Sequence, residues 1–175
     1  MQRGDPSPLA FYQGKQLAPE NLAGATSRMF LGIRLGCAQC HDHPFDKWQQ
    51  DEFWSFAAFY AGIVRQGQQN IFGTVRELTD RRELSIPGTD TFVQPTYLDG
   101  GQPQWKFRQG PRETLAHWVT SRDNKYFSQT VVNRMWEHFF WVGPRRSSGR
   151  LWREQPGEPP SAARRTGNSV RRERF

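Results

Sequence analysis

Apolar side chains recur every three or four residues along parts of this chain, and that rhythm predicts its helices. Leu22, Thr26, Met29, Ile33 and Cys37 form one such stripe, the spacing of a single helix face. Pro19 suits a first helical position and Glu20 a first turn, so the pattern predicts a helix from Pro19 into the cysteines. Gly32 and Gly36 weaken that helix but permit close approach by a flat partner. Residues 1–18 read as irregular. Pro44 disfavours helix at His43, which predicts a turn over Asp42, His43, Pro44 and Phe45. Residues 46–63 then read as a second helix, with Phe53, Phe56, Ala57 and Tyr60 on one face. Trp48, Trp54 and Phe59 make it apolar on more than one side, the mark of deep burial.

Residues 64–110 lose the period. Gly, Gln, Pro and Thr dominate, with short strand candidates at Ile71-Phe72, Thr91-Phe92-Val93 and Trp105-Lys106-Phe107 and a hairpin turn at Gly100-Gly101. Helical spacing returns at Pro111, where Leu115, Trp118 and Val119 make a short stripe ending near Thr120. Asn124 is a good N-cap for a helix over residues 125–140, lined by Phe127, Val131, Met135 and Phe139. Beyond Phe140 the pattern collapses into Arg, Ser, Gly, Pro and Glu, the composition of a disordered tail. The expected fold is therefore mainly α. Helices flank a C-x-x-C-H turn, a loop and short-strand region follows, two further helices come next, and a disordered basic tail ends the chain. The corresponding segments are 1–65, 66–110, 111–140 and 141–175.

The turn is where the chemistry lies. Cys37-Ala38-Gln39-Cys40-His41 holds both cysteines of the 175-residue chain and spells the attachment site of c-type haem. Two thiols add across the vinyl groups and the adjacent imidazole ligates iron. On an α-helix the three side chains, at i, i+3 and i+4, would share one face. Cys37 and Cys40 are thus candidate attachment points, and His41 is both a haem-binding residue and the metal ligand. A ligand for the opposite face must come from elsewhere. His138, near a helix end among aromatics, is the best candidate. His43 is too close to His41, His117 reads as solvent-facing, and Met29 and Met135 read as core.

The same two cysteines also fit chemistry without haem. Two thiolates and an imidazole suit tetrahedral zinc, or iron, with a fourth ligand from afar. A thioredoxin-like dithiol lacks its βαβ surroundings, and a local disulfide would suit an exported protein. Asp42 could hold an axial imidazole through a hydrogen bond, or simply join Asp46, Asp51 and Glu52 at a helix N-terminus.

Composition narrows the partners. Only 35% of residues are hydrophobic but 14% are aromatic, including 13 Phe and 7 Trp, so a core must be built on large rings. The net charge of +7 is local: residues 141–175 hold nine Arg and three Glu, while the other 140 residues carry 15 basic and 14 acidic side chains. A nucleic-acid-binding face would spread its charge through the folded elements, so no nucleic-acid partner is expected. No run of about 18 apolar residues occurs, hence no transmembrane segment. Nor does the N-terminus carry an apolar signal region. Haem attachment requires export, so the chain reads as part of a longer extracytoplasmic, periplasmic-type protein whose signal peptide lies outside it. No Ser-His-Asp set, phosphate loop or glycosidase carboxylate pair is present.

The string Phe30-Leu31-Gly32-Ile33-Arg34-Leu35-Gly36-Cys37-Ala38-Gln39-Cys40-His41-Asp42-His43-Pro44-Phe45-Asp46-Lys47-Trp48 resembles the signature of the planctomycete cytochrome c-like domain family. Asn133-Arg134-Met135-Trp136-Glu137-His138-Phe139 resembles the start of the planctomycete-specific domain that follows it. The resemblance implies a haem-associated extracytoplasmic protein, with a redox protein or another cytochrome c domain as partner. The family pattern would continue after Phe140 with a Gly-rich turn, Leu-Val-Asp-Pro and an Asn-Pro…His-Pro segment. Residues 141–148 can be encoded so that dropping one base yields Gly-Ser-Gly-Leu-Val-Asp-Pro. Residues 154–160, treated alike, yield Ser-Asn-Pro-Ala-Ser-His-Pro. Residues 141–175 are therefore expected to be an out-of-frame tail. The leading expectation is covalent haem c binding and electron transfer. The alternatives are a zinc-, iron- or disulfide-stapled interaction module, or an extracytoplasmic enzyme working with a cytochrome.

Overall fold

The computed structural model of the chain describes residues 8–66 and 74–140. The strand expected at Ile71-Phe72 and the out-of-frame tail expected at 141–175 lie outside the described residues. The fold is mainly helical, as the periodicity predicts. The α-helices are α1 (Pro8–Gly14), α2 (Pro19–Thr26), α3 (Gln50–Ala57), α4 (Pro111–Val119) and α5 (Lys125–Phe140). Two antiparallel ribbons interrupt them, β1 (Ile63–Gln66) with β2 (Thr74–Glu77), and β3 (Leu84–Ser85) with β4 (Phe92–Val93).

The core forms around α3 and its continuation. Gln49 and Glu52 close a capping box, with the Gln49 amide donating to Glu52 Oε2 at 2.8 Å, so the helix starts at Gln50 rather than at Asp46. From there Phe53, Trp54 and Phe56 point inward, and a 3₁₀ turn over Ala58–Tyr60 brings in Phe59 and Tyr60. Phe53, Phe56 and Phe59 are completely buried. The deep burial expected from an all-round apolar segment is present, and each ring contributes about 1.5–3 kcal/mol. Leu22 and Ala23 from α2 and Leu115 and Val119 from α4 close over the same cluster.

The long helix expected from Pro19 into the cysteines does not form as one piece. It is α-helical to Thr26, widens into a π turn over Ser27–Leu31, and stops at Gly32, which is left-handed at φ 69°. A separate 3₁₀ turn covers Leu35–Gln39. The break has a packing cause. Thr26 Oγ1 lies 2.6 Å from the buried Tyr60 hydroxyl, and the widened turn carries Leu31, and the 3₁₀ turn Leu35, into the core. Met29, which the stripe placed inside, is exposed. Gly32 meets α5 directly: a Cβ there would sit 2.7 Å from Thr130 Oγ1.

Helix α5 spans the residues expected, and Asn124 caps it by accepting from the Tyr126 amide at 3.1 Å. Its burial differs from expectation. Thr130 is its buried side chain, whereas Val131, Met135 and Phe139 face outward. Met135 is therefore not core. Two further expectations fail in the N-terminal segment and the middle region. Pro8–Gly14 is helical rather than irregular, and Trp105-Lys106-Phe107 is no strand, its tryptophan lying under the Arg82 guanidinium at 4.0 Å. The chain does turn at Gly100, at φ 83° with its amide donating to the Tyr97 carbonyl at 2.9 Å, but no strand pair flanks it among the described residues, so the expected hairpin does not form.

Two outcomes follow from this packing. Phe56→Ala should lower unfolding free energy by about 3–5 kcal/mol, read by denaturant titration. Burial pushes the Tyr60 hydroxyl well above its ordinary value, against the lowering effect of the Thr26 hydrogen bond. The folded state therefore holds Tyr60 neutral while the unfolded chain ionises near pH 10, so its stability is full below that pH and lost above it. Tyr60→Phe should flatten that alkaline decline, as denaturant curves from pH 7 to 11 would show.

Candidate haem-attachment turn

Cys37 and Cys40 are free thiols and both are exposed. Between them Ala38 is fully buried, so the turn is pinned by its inward residue while its sulfurs stay outside. The backbone is held from below as well. The Gln39 carbonyl accepts from Gln50 Nε2 at 3.1 Å and from Trp54 Nε1 at 3.0 Å. Trp54 is itself in the core, which ties the cysteine turn to the buried aromatic cluster. Asp42 Oδ1 accepts from the Gln50 amide at 2.9 Å, so this carboxylate caps α3, one of the two roles the sequence offered.

The two nearby histidines differ in which nitrogen is available. His41 Nδ1 lies 2.7 Å from the Asp42 carbonyl oxygen. A carbonyl can only accept, so Nδ1 donates there and the neutral ring keeps its lone pair on Nε2. A backbone oxygen holding one imidazole nitrogen is a common support for a metal-ligating histidine. His43 is arranged in the opposite sense. Its Nδ1 accepts from the Phe45 amide at 3.2 Å, which leaves the proton on Nε2. His41 thus presents an acceptor nitrogen to solvent, and His43 does not.

The donor set at the turn fits a c-type haem: two free exposed sulfurs and an adjacent imidazole with an open Nε2. The shared helical face does not form. On a 3₁₀ turn three residues complete one revolution, so Cys37 and Cys40 align while His41 falls outside the turn, after the Cys40 cap. No group of three or more His, Cys, Asp and Glu that could hold a metal gathers among the described residues. His138 is exposed on α5, its ring edge-on to Phe139. Helix α5 passes the π turn with Thr130 beside Gly32 and with Arg134 donating to the Arg28 carbonyl at 2.9 Å. His117 is exposed and lies 3.7 Å from Glu113 across one turn of α4, as expected of a solvent-facing residue. The hydrogen bonds from Gln50 and Trp54 to Gln39 have no signal in the sequence. No helical or strand periodicity marks a contact across 11 or 15 residues.

No helix among the described residues is long and apolar enough to cross a membrane. Residues 10–65 match PSCyt2, described as a protein of unknown function (DUF1549), and residues 111–159 match PSD1, likewise of unknown function (DUF1553). No curated protein and no solved structure matches. The PSD1 match runs past Phe140, so it includes residues that the sequence reads as an out-of-frame tail. The chain thus carries, in this order, a segment that matches the PSCyt2 family and a segment that matches the PSD1 family.

Proposed function

We propose that the PSCyt2 segment holds one haem c covalently and passes electrons within an exported multidomain protein. Cys37 and Cys40 would form the thioethers, each S–H adding across one vinyl group with no further oxidant. His41 would ligate iron through Nε2. Bound there, the haem supplies a one-electron ferric/ferrous couple, exchanged with a redox protein or another cytochrome c domain. The observation that carries this reading is the pairing of two exposed, unbonded thiols with an imidazole whose Nδ1 is fixed and whose Nε2 is open. His138, offered by sequence for the opposite face, adds no support from its place on α5.

One observation favours a second reading, a disulfide-stapled interaction module. Aligned residues on a 3₁₀ turn are separated by a rise of roughly 6 Å, within the Cα range of about 4.4–6.8 Å that a disulfide spans.

The full chain, fused to an export signal and produced with a cytochrome c maturation system, separates the two. Haem attachment predicts a haem stain surviving denaturing electrophoresis and a Soret band, both lost in the Cys37→Ala, Cys40→Ala double variant. A colourless product with no titratable thiols supports the staple and ends the haem reading. A second outcome concerns the histidines. His41→Ala should keep the stain but shift the Soret band, whereas His43→Ala should leave the spectrum unchanged and cost about 1 kcal/mol from the lost Phe45 bond. Equal spectral shifts in both variants would contradict the assignment of His41.

A further inference from the structure

A cleft of about 380 Å³ opens at the junction of α4 and α5, lined by Asp99, Trp118, Asp123, Asn124, Lys125, Tyr126 and Gln129. It is made from other elements than the cysteine turn, and nothing in the haem reading uses it. Some of its residues build a frame. Trp118 Nε1 donates to Asp99 Oδ2 at 2.9 Å, and the other Asp99 oxygen accepts from the Gly101 amide at 2.9 Å. Asn124 is spent on both sides, accepting from the Tyr126 amide and donating to the Trp118 carbonyl at 3.3 Å. The Trp118 ring is also fixed. It stacks on Tyr97 at 4.9 Å and 5°, and Tyr97 stacks on the fully buried Phe59 at 5.3 Å and 13°. A column of three parallel rings thus rises from the core and ends at Trp118.

The rest of the lining is uncommitted. The Asp123 carboxylate, Lys125 ammonium, Tyr126 hydroxyl and Gln129 amide make no hydrogen bond or ion pair to any described residue. The frame is rigid, and the free polar groups stand around an immobilised aromatic wall. That is the composition of a small-molecule site, apolar faces with a few orienting polar groups.

We propose that this cleft binds a neutral sugar. The free groups select the class. Asp123 only accepts, Lys125 only donates, and Gln129 and Tyr126 do both. A simple cation would leave Lys125 facing a like charge, and a simple anion would leave Asp123 so. A hydroxyl donates and accepts at once, so a polyol satisfies every member of the set. The C–H face of a pyranose needs a flat apolar wall, and Trp118 and Tyr126 supply aromatic surface beside those polar groups. Preset walls also spare the ordering cost that a mobile aromatic would add to binding.

The test is calorimetric titration of the full chain with glucose, galactose, cellobiose and maltose. Betaine serves as the cationic aromatic-seeking control and alanine as the zwitterionic one. At least one sugar should give saturable heat that neither control gives. Asp123→Ala and Gln129→Ala remove side chains without described partners, so both should keep the far-ultraviolet circular dichroism of the parent. Each should weaken sugar binding by roughly tenfold or more, the loss of a hydrogen bond to a charged or well-placed group. His117→Ala, on the same helix as Trp118 but outside the cleft, should bind as the parent does. The proposal fails if no sugar binds, if betaine or alanine binds in place of sugars, or if the two cleft variants bind sugar unchanged.

Discussion

The fold depends on one act of burial, the removal of Phe53 through Tyr60 from water. Seven tryptophans and thirteen phenylalanines in a chain only 35% hydrophobic leave few aliphatic residues for a core, so one aromatic segment has to supply its centre. Each later feature is attached to that segment through a named side chain. Trp54 reaches out by Nε1 to hold the Gln39 carbonyl and with it the cysteine turn. Phe59 starts the column of rings that ends at Trp118. Tyr60 bonds Thr26 and sets where α2 gives way to the π turn. Interiors packed to crystal density transmit position well, so both surface sites inherit their order from the same rings.

A second tie joins the matched segments. Arg112 at the start of α4 pairs with Glu77 of β2, Nε to Oε2 at 3.0 Å, and its backbone amide donates to the other carboxylate oxygen at 3.0 Å. Its guanidinium also sits over the Tyr12 ring of α1 at 5.1 Å. Burial alone would lower the Arg112 pKa, but Tyr12 and Glu77 outweigh it and hold it raised. The ion pair is partly sheltered, where removing one partner strands a charge and costs more than the pair itself contributes. Residues from the first match, the connecting ribbon and the second match thereby meet at one guanidinium. The boundary between the two families is no seam in the packing.

How much the sequence revealed depends on the range of the forces involved. Helix starts and stops are local, and Asn124 at α5, Pro111 at α4 and Pro19 at α2 all act where they were expected. The all-round apolar pattern of residues 53–60 also foretold their burial, because it leaves no polar face to expose. What failed required knowledge of a distant partner. The period from Leu22 to Cys37 is that of one straight helix, but Thr26 must reach Tyr60, 34 residues on, and Gly32 must admit Thr130. Those contacts turn the chain, and Met29 turns outward with it. The apolar line of α5 misled for a related reason: periodicity shows that a helix has an apolar face, not that this chain covers it.

The candidate site was legible in chemistry and illegible in geometry. Two cysteines and a histidine at this spacing name a haem-attachment motif whatever the backbone does, but only the structure shows a 3₁₀ turn that aligns Cys37 with Cys40 and leaves His41 beyond it. The motif singles out His41 over His43, but which ring nitrogen each leaves open was beyond sequence, since that lies in whether Nδ1 meets a carbonyl or an amide. The arrangement also keeps folding apart from chemistry. The turn is secured through Ala38, Gln39 and Trp54, and neither sulfur contributes to the core. Removing a thiol should therefore leave the scaffold standing, and a lost cofactor in such a variant reports on attachment rather than on collapse.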